Sequence, residues 1–347
     1  MDERGSLRDL KSFEDPRIVP LGDGVYGACF FLMKLLPARY MLERAVESGQ
    51  LTEGGTICES SSGTFALALA MLAAQGNFRL LIVGDWALDV GLQRRLLALG
   101  VELDIVEEPH PRGGYQLARL ERLKKHLANR PGSYWPAQYS NPDNPLSYAK
   151  VAAQIIDEVG QIDCLVGAVG SGGSMCGIAH YLRLLFPELV LIGIDTPGSV
   201  LFGQPGALRQ VSGLGGGIVP ANVDHSQFDE VHWLSAAEII AAAHDLHSDR
   251  GLFMGPTSGA AVKVARWWGE THPGKTAVAL CPDEGHRYVD TVYDESWVKA
   301  NIGGWSDARR KRPLTVTSPT ENMAGWSRFG WGRRSLVEVL SQTMSSK

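Results

Sequence analysis

Between about residues 55 and 285, short apolar runs alternate with longer segments whose apolar positions recur every three or four residues. The runs at 56–59, 80–83, 102–106, 164–169, 190–195, 230–233 and 276–281 predict strands, and the segments at 63–75, 91–99, 114–128, 147–159, 173–185, 236–248 and 258–270 predict the intervening helices. Strands alternating with helices are the mark of an open, largely parallel sheet joined by crossovers, so the fold class expected is α/β. A non-helical connection at 130–145, carrying Asn141-Pro142-Asp143-Asn144-Pro145, interrupts the alternation and places a domain boundary nearby. The expected organisation is an N-terminal segment at 1–36 packing on the larger domain, a smaller α/β domain at 37–145, a larger one at 146–305, and a tail at 306–347. The tail has no core pattern until 336–340 and is expected to be disordered or to lie at a subunit interface.

Composition narrows the partners. The 347 residues are 44% hydrophobic and 20% charged with a net charge of -5, which offers no electrostatic reason to bind nucleic acid or an anionic membrane. Small molecules are the expected partners. The start of the chain lacks the apolar core of a signal peptide, and no apolar run approaches the roughly 20 residues of a membrane span, so a cytoplasmic location is expected. The five cysteines are scattered without metal-ligand spacing and read as reduced packing residues rather than disulfides or ligands; no metal is expected.

Candidate chemistry lies where predicted strands end. Gly170-Ser171-Gly172-Gly173-Ser174 joins a strand to a helix, and bare backbone N–H groups at a helix start hold phosphate. Ser60-Ser61-Ser62-Gly63-Thr64 repeats the arrangement with hydroxyls; one serine suffices as a helix cap, whereas the whole run suits a small carboxylate. Further strand or helix ends carry Gly255-Pro256-Thr257-Ser258-Gly259-Ala260 and Pro282-Asp283-Glu284-Gly285-His286-Arg287-Tyr288. In open parallel sheets such ends converge on one cleft.

With Ser212-Gly213-Leu214-Gly215-Gly216-Gly217 and the Asn-Pro-x-Asn-Pro segment at 141–145, these motifs follow the order found in a known family. Over residues 30–300 the chain resembles the pyridoxal-phosphate-dependent cysteine synthase and cystathionine β-synthase family, of tryptophan synthase β-like fold. The resemblance implies two open α/β domains with the cofactor, pyridoxal 5'-phosphate, in the cleft between them, and a homodimer. It assigns Lys34 to the Schiff base and makes it the catalytic residue. It assigns Gly170, Ser171, Gly172, Gly173 and Ser174 to the phosphate, Ser61, Ser62, Gly63 and Thr64 to the substrate carboxylate, and Gly213 to the substrate pocket. An apolar setting of Phe30, Phe31, Leu32, Met33, Leu35 and Leu36 would depress the Lys34 amine pKa and favour its nucleophilic form.

Three departures stand out. Leu32 and Leu35-Leu36 replace polar neighbours of the lysine. Thr64 replaces an Asn that meets the cofactor's phenolic oxygen in relatives, and Phe65 takes the place of a hydroxyl beside the substrate. Glu284 occupies the position where relatives place the hydroxyl that meets the pyridine nitrogen, and a carboxylate there would keep that nitrogen protonated; the alternative is that Glu284 turns outward and Asp283 or a water serves instead. The activity implied is β-replacement on a serine- or cysteine-derived amino acid through aminoacrylate, with β-elimination to pyruvate and ammonia as the alternative. A catalytically dead binding protein also fits the altered lysine surroundings. An NAD-dependent oxidoreductase fits the glycine loop and Asp195, but Met175 stands where its third glycine belongs.

Overall fold

A computed structural model describes residues 10–321, 323 and 325–345. Eleven strands fall into two sheets among these residues. The larger contains β1 (Arg17–Gly22), β2 (Val25–Cys29), β6 (Cys164–Ala168), β7 (Val190–Asp195), β8 (Glu230–Leu234), β9 (Ala277–Cys281), β10 (Leu314–Thr315) and β11 (Trp326–Gly330); the smaller contains β3 (Thr56–Ser60), β4 (Arg79–Gly84) and β5 (Glu102–Ile105). Their orders are β1-β2-β9-β6-β7-β8-β11-β10 and β3-β4-β5. All pairs in the small sheet and the run β2-β9-β6-β7-β8 in the large one are parallel. The helices are α1 (Leu35–Glu47), α2 (Thr64–Gln75), α3 (Val90–Ala98), α4 (Gly114–Asn129), α5 (Asp143–Leu146), α6 (Ala149–Val159), α7 (Gly173–Leu182), α8 (Ala236–Arg250), α9 (Pro256–Thr271), α10 (Glu295–Asn301) and α11 (Leu336–Ser345). The fold is tryptophan synthase β-like, two open and mostly parallel α/β units.

The large sheet is apolar on both faces, and the period-2 geometry of a strand divides its side chains between two cores. Leu165, Leu191 and Val278 pack with Ile155 of α6 and Ile178 of α7, whereas their neighbours Val166, Ile192 and Ala279 pack with Ile239 of α8 and Ala261 of α9. A third core joins Met41 and Leu42 of α1 to Leu69 of α2 and to Ile57 and Ile82 of the small sheet. Each fully buried Leu, Ile or Val contributes on the order of 2 kcal/mol.

The chain ends depart from expectation. Residues 1–9 of the N-terminal segment lie outside the described residues, but β1 and β2 extend the large sheet by two strands. Pro20 is tolerated because β1 is an edge strand with a register shift between Pro20 and Gly22. The tail, for which disorder was one expectation, contributes to the sheet: β11 pairs antiparallel with β8 and buries Trp326 (1% exposed). The next turn buries Trp331, which sits edge-on to Phe202 with centroids 5.1 Å apart. Two large aromatics anchor a stretch too poor in aliphatic residues to show a strand pattern. No helix among the described residues is long and apolar enough to cross a membrane, and all five cysteines are buried and free.

Candidate active site

The carboxyl ends of β2, β6 and β9 in the large sheet and of β3 and β4 in the small one open onto a single cleft of about 510 Å³, within the usual range for small-molecule sites. Parallel pairing forces this convergence, since every strand leaves its sheet on the same side.

Lys34 enters from the end of β2. The Met33 N–H donates to Pro282 O at 2.8 Å and Leu32 bridges Asp283, so the turn is pinned to the end of β9; the next residue starts α1, which belongs to the other core. Lys34 thus sits at the joint between the two units. Burial among Met33, Leu35 and Leu36 pushes its amine from 10.5 down to about 8, opposed by the Asp283 carboxylate. The helix N-terminus also disfavours a cation there. No hydrogen-bond partner meets its Nζ among the described residues.

Asp283 is 5% exposed, and burial raises its pKa. The Tyr288 hydroxyl donates to its Oδ2 at 2.6 Å, while Oδ1 is buried with no partner among the described residues. Glu284 does the opposite of what its assignment to the pyridine nitrogen requires. Its carboxylate accepts from Arg17 Nη2 at 3.0 Å, lies 3.8 Å from His286 Nε2, and is absent from the cleft wall. Successive side chains of extended backbone point to opposite sides, so Asp283 facing inward turns Glu284 outward.

The loop after β6 supplies a cradle. Gly172 has φ +86°, and a Cβ there would lie 2.4 Å from Asn222 O; one on Gly173 would lie 2.1 Å from Asn144 Oδ1. These glycines shape the loop from behind, while Gly170, Ser171 and Ser174 line the cleft. Among the described residues no acceptor meets the N–H groups of Gly170, Ser171 or Gly172, and α7 starts with no side-chain cap.

Ser61, Ser62, Gly63, Thr64 and Phe65 all line the cleft, at the start of α2. Their roles divide. The Ser61 hydroxyl is spent as a cap, accepting from Ala66 N at 3.2 Å and Gly63 N at 3.4 Å, whereas the hydroxyls of Ser62 and Thr64 have no partner among the described residues. Phe65 is 3% exposed and belongs to the small-unit core as much as to the cleft. Arg287 lines the same wall; a Cβ on Gly63 would lie 3.8 Å from its Nη1.

Gly213, with φ +93°, lines the cleft as well. Its segment is tied to the cradle by Gly215 N donating to Val169 O at 2.8 Å, and to α4 by Gly217 N donating to Gln116 Oε1. Among the cleft residues that carried no signal in the sequence are Asp85, Trp86, Arg119 and Arg209. A lone arginine on an amphipathic helix is indistinguishable from a solvated one until the helix is placed.

The residues present fit pyridoxal phosphate: a desolvated amine, a cradle of unmet N–H groups at a helix start and a buried carboxylate line one cavity. The family model for pyridoxal-phosphate dependent enzymes matches residues 33–283. An N-(2-amino-2-carboxyethyl)-L-glutamate synthase of Cupriavidus metallidurans is 35% identical over 290 residues, covering 82% of this chain and 84% of its own. A synthase of the same name from Ralstonia nicotianae is 34% identical over 267 residues, covering 76% and 78%. The cysteine synthase structure of Entamoeba histolytica superposes with a TM-score of 0.75 at 24% identity, over 86% of this chain and 95% of that one.

Proposed function

Because the chain belongs to the pyridoxal-phosphate dependent enzymes, we propose that it catalyses β-replacement on a serine- or cysteine-derived amino acid, joining the Cβ of that donor to an amine. The observation that supports this reading is the Lys34 amine, lowered to about 8, on the same cleft as the starts of α2 and α7. Pyridoxal phosphate, when bound, supplies an electron sink for charge developing at the donor's α-carbon.

The protein's own groups divide the rest. Lys34 would hold the cofactor and act as the general base that takes the donor's α-proton. The N–H groups of Gly170 and Ser171 and the start of α7 hold the phosphate, with Ser174 beside them and Gly172 and Gly173 shaping the cradle. The hydroxyls of Ser62 and Thr64 and the start of α2 hold the donor carboxylate, with the Arg287 guanidinium alongside; Ser61 keeps that helix start in place, Gly63 admits the donor and Phe65 and Gly213 bound its side chain. Asp283, oriented through Tyr288, would keep a proton on the cofactor's ring nitrogen, the role first expected of Glu284.

Replacement is favoured over elimination by the name shared by the Cupriavidus and Ralstonia relatives, which describes glutamate with a 2-amino-2-carboxyethyl group on nitrogen, a bond from nitrogen to a Cβ. The test mixes purified holoenzyme with O-acetylserine, O-phosphoserine, serine or cysteine, with and without an amino-acid nucleophile, and reads cofactor absorbance and product mass. A nucleophile-dependent adduct at one donor is the expected result. Pyruvate and ammonia released at the same rate with nucleophile present would overturn it. The homodimer implied by the resemblance is tested by light scattering.

A further inference from the structure

The segment 198–215 supplies one wall of the cleft, with Val200, Leu208 and Gly213 among its lining residues. Between 205 and 211 it is thinly held. Among the described residues its hydrogen bonds there are Ala207 N donating to Gly198 O at 3.0 Å and Gln210 Nε2 donating to Asn301 O at 3.2 Å, and Leu208 is 78% exposed. A loop with so little packing of its own takes its position from its ends. The upstream end rests on the tail. Gln204 Nε2 donates to Pro319 O and, at 3.5 Å, to Glu321 O. Gly203, at φ +83°, leaves room for α11: a Cβ there would lie 2.7 Å from Leu340 Cδ2 and 3.7 Å from Pro319 Cβ. Phe202 is fully buried and edge-on to Trp331. The tail thus meets three successive residues from before β11, from just after it and from α11, and these contacts lie outside the register that pairs β11 with β8.

We propose that the C-terminal tail positions this wall: Pro319, Trp331 and Leu340 clamp residues 202–204 and thereby hold the loop at 205–213 where it bounds the donor, with Gln204 and Leu340 as positioning residues. The proposal deepens the β-replacement reading, and its kinetic arm rests on that reading. The hold passes inward along the main chain. Val200 N donates to Gly216 O at 2.9 Å and Ser199 Oγ accepts from Gly216 N at 3.0 Å, so the stretch that carries the tail contacts also fixes the glycine segment next to Gly213. The clamp is a light one. α11 has ten residues and leaves Val337 77% exposed, and a helix of that length is marginal without its tertiary contacts. Docking of α11 and placement of the loop therefore form one cooperative unit that opens more readily than the sheet behind it.

Three full-length variants test it as holoenzymes. Gln204→Glu keeps the volume but sets a carboxylate against two carbonyl oxygens, Leu340→Ala empties the contact on Gly203, and Leu340→Met refills it. Trypsin cleavage after Arg209, inside the loop, reads the loop's freedom without any chemistry at the cofactor, and cleavage after the exposed Lys124 of α4 is the reference. Cleavage at Arg209 relative to Lys124 should be roughly tenfold faster in Q204E and L340A and close to wild type in L340M. The KM of whichever donor the wild type accepts among O-acetylserine, O-phosphoserine, serine and cysteine should rise roughly three- to tenfold in Q204E and L340A, with kcat changed by less than about twofold and L340M restoring the KM. Equal relative cleavage in all four proteins would overturn the proposal. So would cleavage that rises at both sites in parallel, which would reduce the tail to a general stabiliser, or a freed loop with an unchanged KM. Failure of the β-replacement reading is distinct: it appears as a wild-type holoenzyme whose absorbance responds to none of the four donors, and the cleavage ratios still decide whether the tail holds the loop.

Discussion

Replacing Asp283 by Asn separates the two forces that set the Lys34 amine. Burial lowers its pKa and the Asp283 carboxylate raises it, and the balance is about 8. At pH 7 such an amine is neutral in roughly one molecule in ten, against roughly one in three thousand at the ordinary lysine value, a gain of about 300-fold in reactive amine. An opposite charge within a few ångströms is worth about one pKa unit or more. D283N should therefore move the amine to about 7 or below and raise the neutral fraction at pH 7 about fivefold. Reductive methylation of cofactor-free protein with formaldehyde and cyanoborohydride, followed by peptide mass mapping across pH 6 to 10, reads this without involving the cofactor. Half-maximal labelling of wild-type Lys34 is expected near pH 8, and at lower pH in D283N. A wild-type midpoint near 10, or an upward move in D283N, would refute the argument. The same shift bears on stability. Protonation of Lys34 is harder in the folded cofactor-free chain than in the unfolded one, so the folded state loses nothing above pH 10.5 and is progressively penalised as pH falls, the full penalty being present below about 8. The shift corresponds to about 3 kcal/mol.

Three further outcomes follow from the geometry. Gly173→Ala drives a Cβ against Asn144 and should cost about 1 to 3 kcal/mol together with cofactor retention, read by thermal denaturation and by absorbance of the dialysed protein. Glu284→Gln breaks the pair with Arg17, whose side chain is 71% exposed, and the long contact with the exposed His286, so stability should change by less than about 1 kcal/mol and the cofactor spectrum should stay that of wild type; a shifted spectrum would return Glu284 to the site. Trp326→Ala empties a fully buried position on β11 and should cost about 3 to 5 kcal/mol by chemical denaturation; a loss under about 1 kcal/mol would mean that the tail strand is dispensable.

The central strands and helices were legible because their patterns are redundant. A strand such as β9, apolar at all five positions and followed by Pro282, carries its own evidence of burial on both faces. The strands near the chain ends were not. β1 contains Pro20, β10 has two exposed residues and β11 interposes Ser327 and Arg328 between its aromatics, so each is a strand only because a paired neighbour completes its hydrogen bonds. α1 was hidden for a different reason: Leu32, Leu35 and Leu36 read as an apolar wall around Lys34, but Leu35 and Leu36 begin a helix whose Leu35 packs in the small-unit core and whose Leu36 packs in the large-unit one.

The site divides in the same way. Glycine loops and hydroxyl runs follow strand ends, and a backbone that offers N–H groups at a helix start needs little beyond its local sequence, so the cradle, the carboxylate loop and Lys34 could be named from the chain alone. Direction and pairing could not. Whether Asp283 or Glu284 faces the cleft depends on the bridge between Leu32 and residue 283, two points 251 positions apart, and a one-residue change of phase exchanges inward for outward. That Arg119 and Arg209 both reach the cleft is likewise a product of how α4 packs on the small sheet and how the glycine segment crosses to it through Gln116. Local chemistry is written in short stretches of sequence, whereas which charges end up facing each other without water is decided by packing alone.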